Sequence, residues 1–381
     1  MSSAGHLHSN EHRTETELIE RQRAGRLRVC SAAAFRALVA EAGLQKAHAD
    51  TDVVVAGQAE FCDQASLHLS LGPTDPPIRL RDPLLNGIAA QGGGGGELVL
   101  PISSGARVLG DLLAGRRLDL SASGDGTLLQ PRRELNTHLD LDRIANGRLL
   151  LHRGLVENGL VAVSSREGLT ASPWGPLLGP FANALHSCGG AGSIGMAMPG
   201  LDLLGPGSPV LVGGAIGWVM GTGSGHNPGV RRLASGHARG PGAVAALCVD
   251  LHDLQAEWLR AAHFEGHGGA LLVAIAAPVP LLNPAIARRL AVDNDRLEAP
   301  VLDVSIPRRI KPSFGAVPYA QLLAGTISVD GRRVRAAPAH SPRLAEGITA
   351  RLVEDLREGR FPLRLPLRPL SARPTLVPLD P

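Results

Sequence analysis

GGALLVAIAAPVPLLN, residues 268–283, is the most apolar stretch of the chain. A membrane-crossing helix takes about 20 apolar residues, and Pro278 and Pro280 break this run well before that, so it excludes a membrane span. Residues 270–277 therefore read as a buried strand. Residues 52–57 (DVVVAG) read the same way, and short β-rich runs recur at 98–102, 118–123, 160–164, 209–220 and 244–250, separated by glycine turns. Helical patterns are fewer, the clearest being residues 108–114, 253–262 and 284–291. The mixture predicts an α/β or α+β fold, a mixed β-sheet core with flanking helices and Gly-rich loops. It lacks the regular strand–helix alternation of a barrel or a doubly wound sheet.

The chain has 381 residues, long enough for one large domain or two closely packed ones. Aromatic residues make up only 3%, so the core must be filled by Leu, Val, Ile and Ala. The 47 glycines and 29 prolines, roughly a fifth of the residues, imply many tight turns yet stay below the level of a disordered chain. A formal charge of +3, spread along the chain, argues against a nucleic-acid binder. The N-terminus lacks an apolar signal segment, which predicts a cytoplasmic protein. Cys30, Cys62, Cys188 and Cys248 show neither C-x-x-C spacing nor a disulfide framework, so any functional cysteine acts as a thiol.

At the ends, residues 1–13 read as a flexible terminus whose His6, His8 and His12 need hold no metal. Thr14 and Glu17 form a capping box for a helix ending near Gly25, and a second helix follows Ser31 and stops at Gly43. The main domain is expected over 14–310. Residues 311–381 are expected to add a hairpin at Asp330-Gly331, a helix striped by Leu344, Ile348, Leu352 and Leu356, and a basic Pro-rich tail wrapped on the body.

Several local motifs are weak. The glycine run 92–96 precedes a strand and reads as a linker. Residues 190–195 spell G-A-G-S-I-G, a dinucleotide fingerprint, but without a leading strand or a following helix. The fourteen histidines form no ligand pair at helical spacing, and no metal is expected. Residues 124–134 (GDGTLLQPRRE) are more informative: a glycine-turned loop at a strand end presents Thr127 and two arginines suited to gripping a carboxylate, although a surface turn explains it equally well.

Taken together, blocks in a fixed order resemble the homocysteine-biosynthesis family of sulfur-incorporation proteins, the L-aspartate semialdehyde sulfurtransferases. They are Thr74-Asp75-Pro76-Pro77-Ile78, DLLAG at 111–115, the 124–134 loop, Asn183-Ala184, residues 213–219 leading to Gly223 and His226-Asn227-Pro228, Pro241-Gly242, PVPLLN at 278–283, and 299–307 running on through KPSFG. The resemblance spans about Thr14 to beyond Tyr319. It implies insertion of sulfur into L-aspartate semialdehyde to give homocysteine, with a cysteine persulfide as carrier and a ferredoxin-like partner as electron donor. The chemistry is coherent, since an aldehyde carbon is an electrophile for a persulfide and the adduct needs reduction.

This chain departs from the family pattern at informative places. Leu129 stands where the family has a cysteine two residues before proline, while Cys62 is retained and Cys188 replaces a serine. Pro73 and Arg107 replace histidines, Gly221 and Thr222 replace an aromatic–acid pair, and the segment between Asn86 and Ser104 is shortened. Cys62, and secondarily Cys188, are thus the candidate sulfur carriers. Arg132 or Arg133 would bind the substrate carboxylate, and Thr127, Asn183, Ser187, His226 and Asn227 would complete a polar pocket. Asp75 would orient a donor or hold a loop. No bound cofactor is expected. The region after residue 310 is cysteine-free, so the reductant, like the sulfur donor, is external. Nothing in the sequence opposes a homo-oligomer. The alternatives are a non-catalytic paralogue binding an amino-acid-like ligand or a protein, or an enzyme acting on another small carbonyl compound.

Overall fold

A computed structural model describes residues 12–372 of the chain. The fingerprint of its architecture is the pairing of the two apolar runs read above. Val53–Cys62 and Gly268–Pro280 lie antiparallel over their whole shared length, from Val53 opposite Pro280 to Cys62 opposite Leu271. Alternation along the first strand then divides its side chains between two cores. Val54 and Ala56 face the main core, whereas Val53, Val55 and Ala59 pack with Ile348, Leu352 and Leu356 of the helix Pro342–Arg357.

That helix comes close at Gly57, where a Cβ would meet Thr349 Oγ1 at 2.0 Å and the Ala345 carbonyl oxygen at 3.0 Å. Gly57→Ala is accordingly expected to push the helix outward at a cost of roughly 1–3 kcal/mol, the usual range for overpacking. Urea unfolding measures it, and an unchanged midpoint would show that the helix yields freely.

Among the described residues the two strands belong to an eleven-stranded sheet running from Val29–Ser31 through Gly268–Pro280 and Ile144–Val156 to Gln91–Gly92. A second sheet has six strands. Its central strands Val161–Val163 and Asn183–His186 are antiparallel to each other and pair in parallel with Glu298–Asp303 and Arg332–Pro338 respectively. Residues on both sides of position 310 belong to this second sheet, because Glu298–Asp303 also pairs with Ser313–Pro318. A four-stranded sheet containing Leu80–Leu85 and Leu118–Gly124 projects to one side. Parallel and antiparallel pairs are thus mixed, and with the helices packed on the sheets the fold is α/β.

Local signals were realised where they were strongest. Thr14 and Glu17 exchange both capping-box hydrogen bonds, and Asp330-Gly331 turns the hairpin with φ of 50° and 73°. The tail is held by buried Phe361 and Leu363 and by the Leu367 N–H donating to Pro206 O at 3.1 Å. Residues 1–11, with His6 and His8, lie outside the described residues. Arg13 is anchored rather than flexible: it is buried and donates to Leu281 O at 2.8 Å.

Three expectations change. Residues 253–262 were read as a helix but form a short 3-10 turn, Ala256–Trp258, and an edge strand, Leu259–Phe264. The long strand Gly268–Pro280 supplies a ladder for Leu259–Phe264, and that non-local pairing overrides a modest helical preference. The run 209–220 is not one strand but a hairpin, turned at Gly213-Gly214 with φ of 57° and 83°. The glycines at 92–96 close a tight turn, with Gly93 N–H donating to Glu97 O at 2.8 Å and Gly95 N–H to the Glu97 carboxylate at 2.8 Å.

Candidate functional site

The interior face of Val53–Cys62 begins apolar and ends polar: after Val54 and Ala56 come Gln58, Glu60 and Cys62. These three side chains meet a cleft of about 50 Å³ between the two large sheets. Val273 and Ile275, the partners of Glu60 and Gln58 on the neighbouring strand, form its floor. Arg153, near the end of Ile144–Val156, closes one side, and Asn158, Ser187 and Pro241 the other.

Cys62 is 7% exposed, and its Sγ donates to the carbonyls of Gln64 and Arg153 at 3.5 Å each. Burial first, and the Asp63 carboxylate second, push its thiol up to about 12, so it is protonated at neutral pH. Arg153 is the countervailing charge. Its guanidinium acts on Cys62, Glu60 and Asp63 together, yet it makes no ion pair or side-chain hydrogen bond among the described residues. A cation so placed is free to bind an anion in the cleft.

From the cleft a polar cluster runs inward from half-buried Glu60 to Cys188 and Tyr319. Burial pushes the Glu60 carboxyl up to about 8, and Gln58 Nε2 donates to Glu60 Oε2 at 3.2 Å. Glu60 also contacts the Cys188 sulfur, which lies 3.3 Å from Ser193 Oγ and accepts from Gly190 N–H at 3.4 Å. Tyr319 reaches the same sulfur, and its hydroxyl donates to Asn158 Oδ1 at 2.6 Å. Cys188 itself is 3% exposed, with its thiol pushed up to about 12 chiefly by burial. The chemistry this offers is a protonated carboxyl at neutral pH, able to donate a proton into the cleft.

The shifted carboxyl has a measurable consequence. From the usual value of 4.5 up to about 8, the folded chain keeps a proton on Glu60 that the unfolded chain releases. Stability from this group is therefore fully present below its unfolded pKa and is lost as pH rises toward 8, by at most about 1.4 kcal/mol per pH unit. Glu60→Gln is expected to flatten that slope in urea unfolding between about pH 5 and 8. An identical slope in both proteins would assign the titration to another group.

Of the residues read from the sequence, the structure brings Cys62 and Ser187 together in the cleft and sets Cys188 just behind it. The loop carrying His226 abuts Arg153, whose Nη1 would lie 2.8 Å from a Cβ on Gly225. His226 Nδ1 accepts from Val244 N–H at 3.0 Å, and exposed Asn227 donates its main-chain N–H to Gly242 O at 2.9 Å. Asn183 spends its side chain locally, accepting from Leu178 N–H at 2.7 Å and donating to Pro176 O at 3.2 Å.

Asp75, Thr127, Arg132 and Arg133 are not among the residues walling the cleft. Arg132 donates to the carbonyls of Asp75 and, at 3.1 Å, Pro76, while Thr127 Oγ1 caps its own turn by accepting from Gln130 N–H at 3.1 Å. Leu129 is 87% exposed beside Leu128 at the tip of this loop. The residues that sequence reading missed are Glu60, Arg153 and Tyr319. A signal existed for Glu60, the one charge in the strand Val53–Cys62, but not for Arg153, whose strand also carries Arg148 and His152.

The cleft thus sets a cysteine beside an arginine and a carboxyl. The chain belongs to the family described as "Homocysteine biosynthesis enzyme, sulfur-incorporation", whose sequence profile matches residues 27–363. It is 29% identical over 358 residues to the L-aspartate semialdehyde sulfurtransferase of Methanosarcina acetivorans, covering 91% of this chain and 70% of that one. It is 27% identical over 377 residues to the protein of the same name from Methanocaldococcus jannaschii, covering 92% and 71%. No solved structure matches the chain. Among the described residues no helix is long and apolar enough to cross a membrane.

Proposed function

We propose that this protein transfers sulfur onto L-aspartate semialdehyde to form homocysteine, with Cys62 as the sulfur carrier and Glu60 as the acid at the aldehyde oxygen. The observation that carries this reading is the placement of the Cys62 sulfur in one cleft with Arg153 and the protonated Glu60. The names of the relatives supply the substrate.

Loading is an exchange: the Cys62 sulfur takes the outer sulfur of a persulfide donor, and the Cys62 proton leaves on the donor's thiol, giving Cys62–S–SH. Arg153 stabilises the persulfide anion that a thiol of such high pKa could not itself provide. The outer sulfur adds to the aldehyde carbon while Glu60 protonates the oxygen. Sulfane sulfur and the aldehyde together need four electrons and four protons to reach homocysteine and water. An external reductant supplies the electrons, a ferredoxin-like protein in our reading, and no bound cofactor is required. The chain is proposed to work in the cytoplasm on a small molecule, without nucleic acid or membrane, and as a homo-oligomer if it assembles.

The test is to incubate the purified protein with L-aspartate semialdehyde, polysulfide and a low-potential reductant and to read homocysteine by mass spectrometry. Product above the protein-free control is expected. Its absence from folded protein would favour the non-catalytic or repurposed alternative that the exposed Leu129 suggests.

A further inference from the structure

The cleft is far too small for the substrate proposed for it. About 50 Å³ has room for only a few water molecules. A second cavity of about 440 Å³ shares Gln58 and Glu60 with the cleft as a common wall, and it is of ligand size.

The cavity exists because Val53–Cys62 loses its edge partner. Val29–Ser31 pairs with it only as far as Val55, and beyond that Gly57 N–H donates to Gly192 O at 3.1 Å and the strand next meets its neighbour at His340. Residues 189–193, the dinucleotide-like loop, therefore serve as a wall of this cavity. A strand, Asn183–His186, does lead toward the loop, but the helix after it, Ile194–Ala197, has four residues, so no dinucleotide cradle is built.

Two charges, one loosely paired and one unpaired among the described residues, flank a largely apolar lining. Arg36 sits one turn into the helix Ala32–Ala42, on the same face as Ala32, and its side chain is 18% exposed. Among the described residues its polar contacts are long: an ion pair at 3.8 Å to the Asp293 carboxylate and a hydrogen bond at 3.4 Å to Ala191 O. Most of its five donors are thus available to a carboxylate. On the helix Pro342–Arg357, Glu346 lines the cavity, is exposed, and makes no ion pair among the described residues. Ala32, Ala59 and Ala345 line the wall with them, and Glu60 stands on the boundary with the cleft.

We propose that this cavity is an amino-acid site, in which Arg36 binds the α-carboxylate and Glu346 the α-ammonium, so that the two-carbon side chain with its terminal aldehyde points toward Glu60. A site with one guanidinium and one carboxylate matches a zwitterion better than a simple anion or cation. The cavity then holds the amino-acid aldehyde and the cleft holds the sulfur, with Glu60 between them. The identity of the substrate rests on the sulfur-transfer reading, whereas the zwitterion site rests on Arg36 and Glu346.

Calorimetric titration with L-homoserine, the unreactive alcohol of the same carbon skeleton, separates the two. Wild type and Cys62→Ser are expected to bind it equally. Arg36→Gln is expected to weaken binding by about tenfold or more and Glu346→Gln by about fivefold, with Arg36→Lys intermediate, as loss of a charge-assisted contact implies. Melting curves establish that each variant is folded. No binding by wild type, or equal binding by all variants, overturns the inference. The expected binding pattern without homocysteine formation would leave the amino-acid site standing and remove the sulfur-transfer reading instead.

Discussion

Cys62→Ser is expected to lower homocysteine formation by at least about 100-fold while leaving the melting temperature nearly unchanged. A serine oxygen cannot carry sulfane sulfur, so the loss falls on the covalent step rather than on binding. The side chain makes only two long hydrogen bonds to carbonyls, which a hydroxyl can also make, so folding should survive. Cys188→Ser is the control. Its sulfur lines neither the cleft nor the cavity, and its role is to pack beside Glu60 and Tyr319, so activity should stay within about tenfold of wild type. Equal loss in both variants would move the carrier to Cys188. Loss in Cys188→Ser alone would also refute Cys62.

The largest effect on stability is expected at Asp52. This carboxylate is fully buried and receives Arg28 Nη2 at 2.7 Å, Arg28 Nε at 3.1 Å and Arg28 N–H at 3.0 Å, with Arg21 Nη1 at 2.5 Å and Arg13 Nε at 3.4 Å. Burial alone would raise its pKa, but the hydrogen bonds from Arg28 and the charges of Arg28 and Arg21 outweigh it and hold the group below the usual carboxylate range. Its contribution is therefore complete at neutral pH and is lost only as pH falls through the depressed value.

Asp52→Asn leaves Arg13, 6% exposed in its side chain, without an ion-pair partner among the described residues. Breaking a buried ion pair costs about 3–5 kcal/mol, and the low end applies because the side chains of Arg21 and Arg28 remain 38% and 44% exposed. About 3 kcal/mol is expected from urea unfolding at pH 7. A loss below about 1 kcal/mol would show that water replaces the carboxylate. The cluster ties the N-terminal segment to the first long strand, so homocysteine formation should survive in the folded fraction.

What the sequence determined by itself was local or carried by pattern. The capping box at Thr14, the turn residues Asp330-Gly331 and the four-residue stripe from Leu344 to Leu356 each need only neighbours within a turn or two. The continuous apolar run in DVVVAG and the proline-broken run at 268–283 sufficed to predict buried strands, and the ordered blocks sufficed to place the chain in its family. Only the tertiary structure decided that residues 259–264 form a strand, because their ladder is supplied by another segment. It also decided which polar groups share a site. Glu60, Arg153, Ser187 and Tyr319 come from four distant segments, and their meeting depends on how two sheets pack. The same packing half-buries Glu60 and raises its proton affinity, a property that no spacing of residues along the chain encodes.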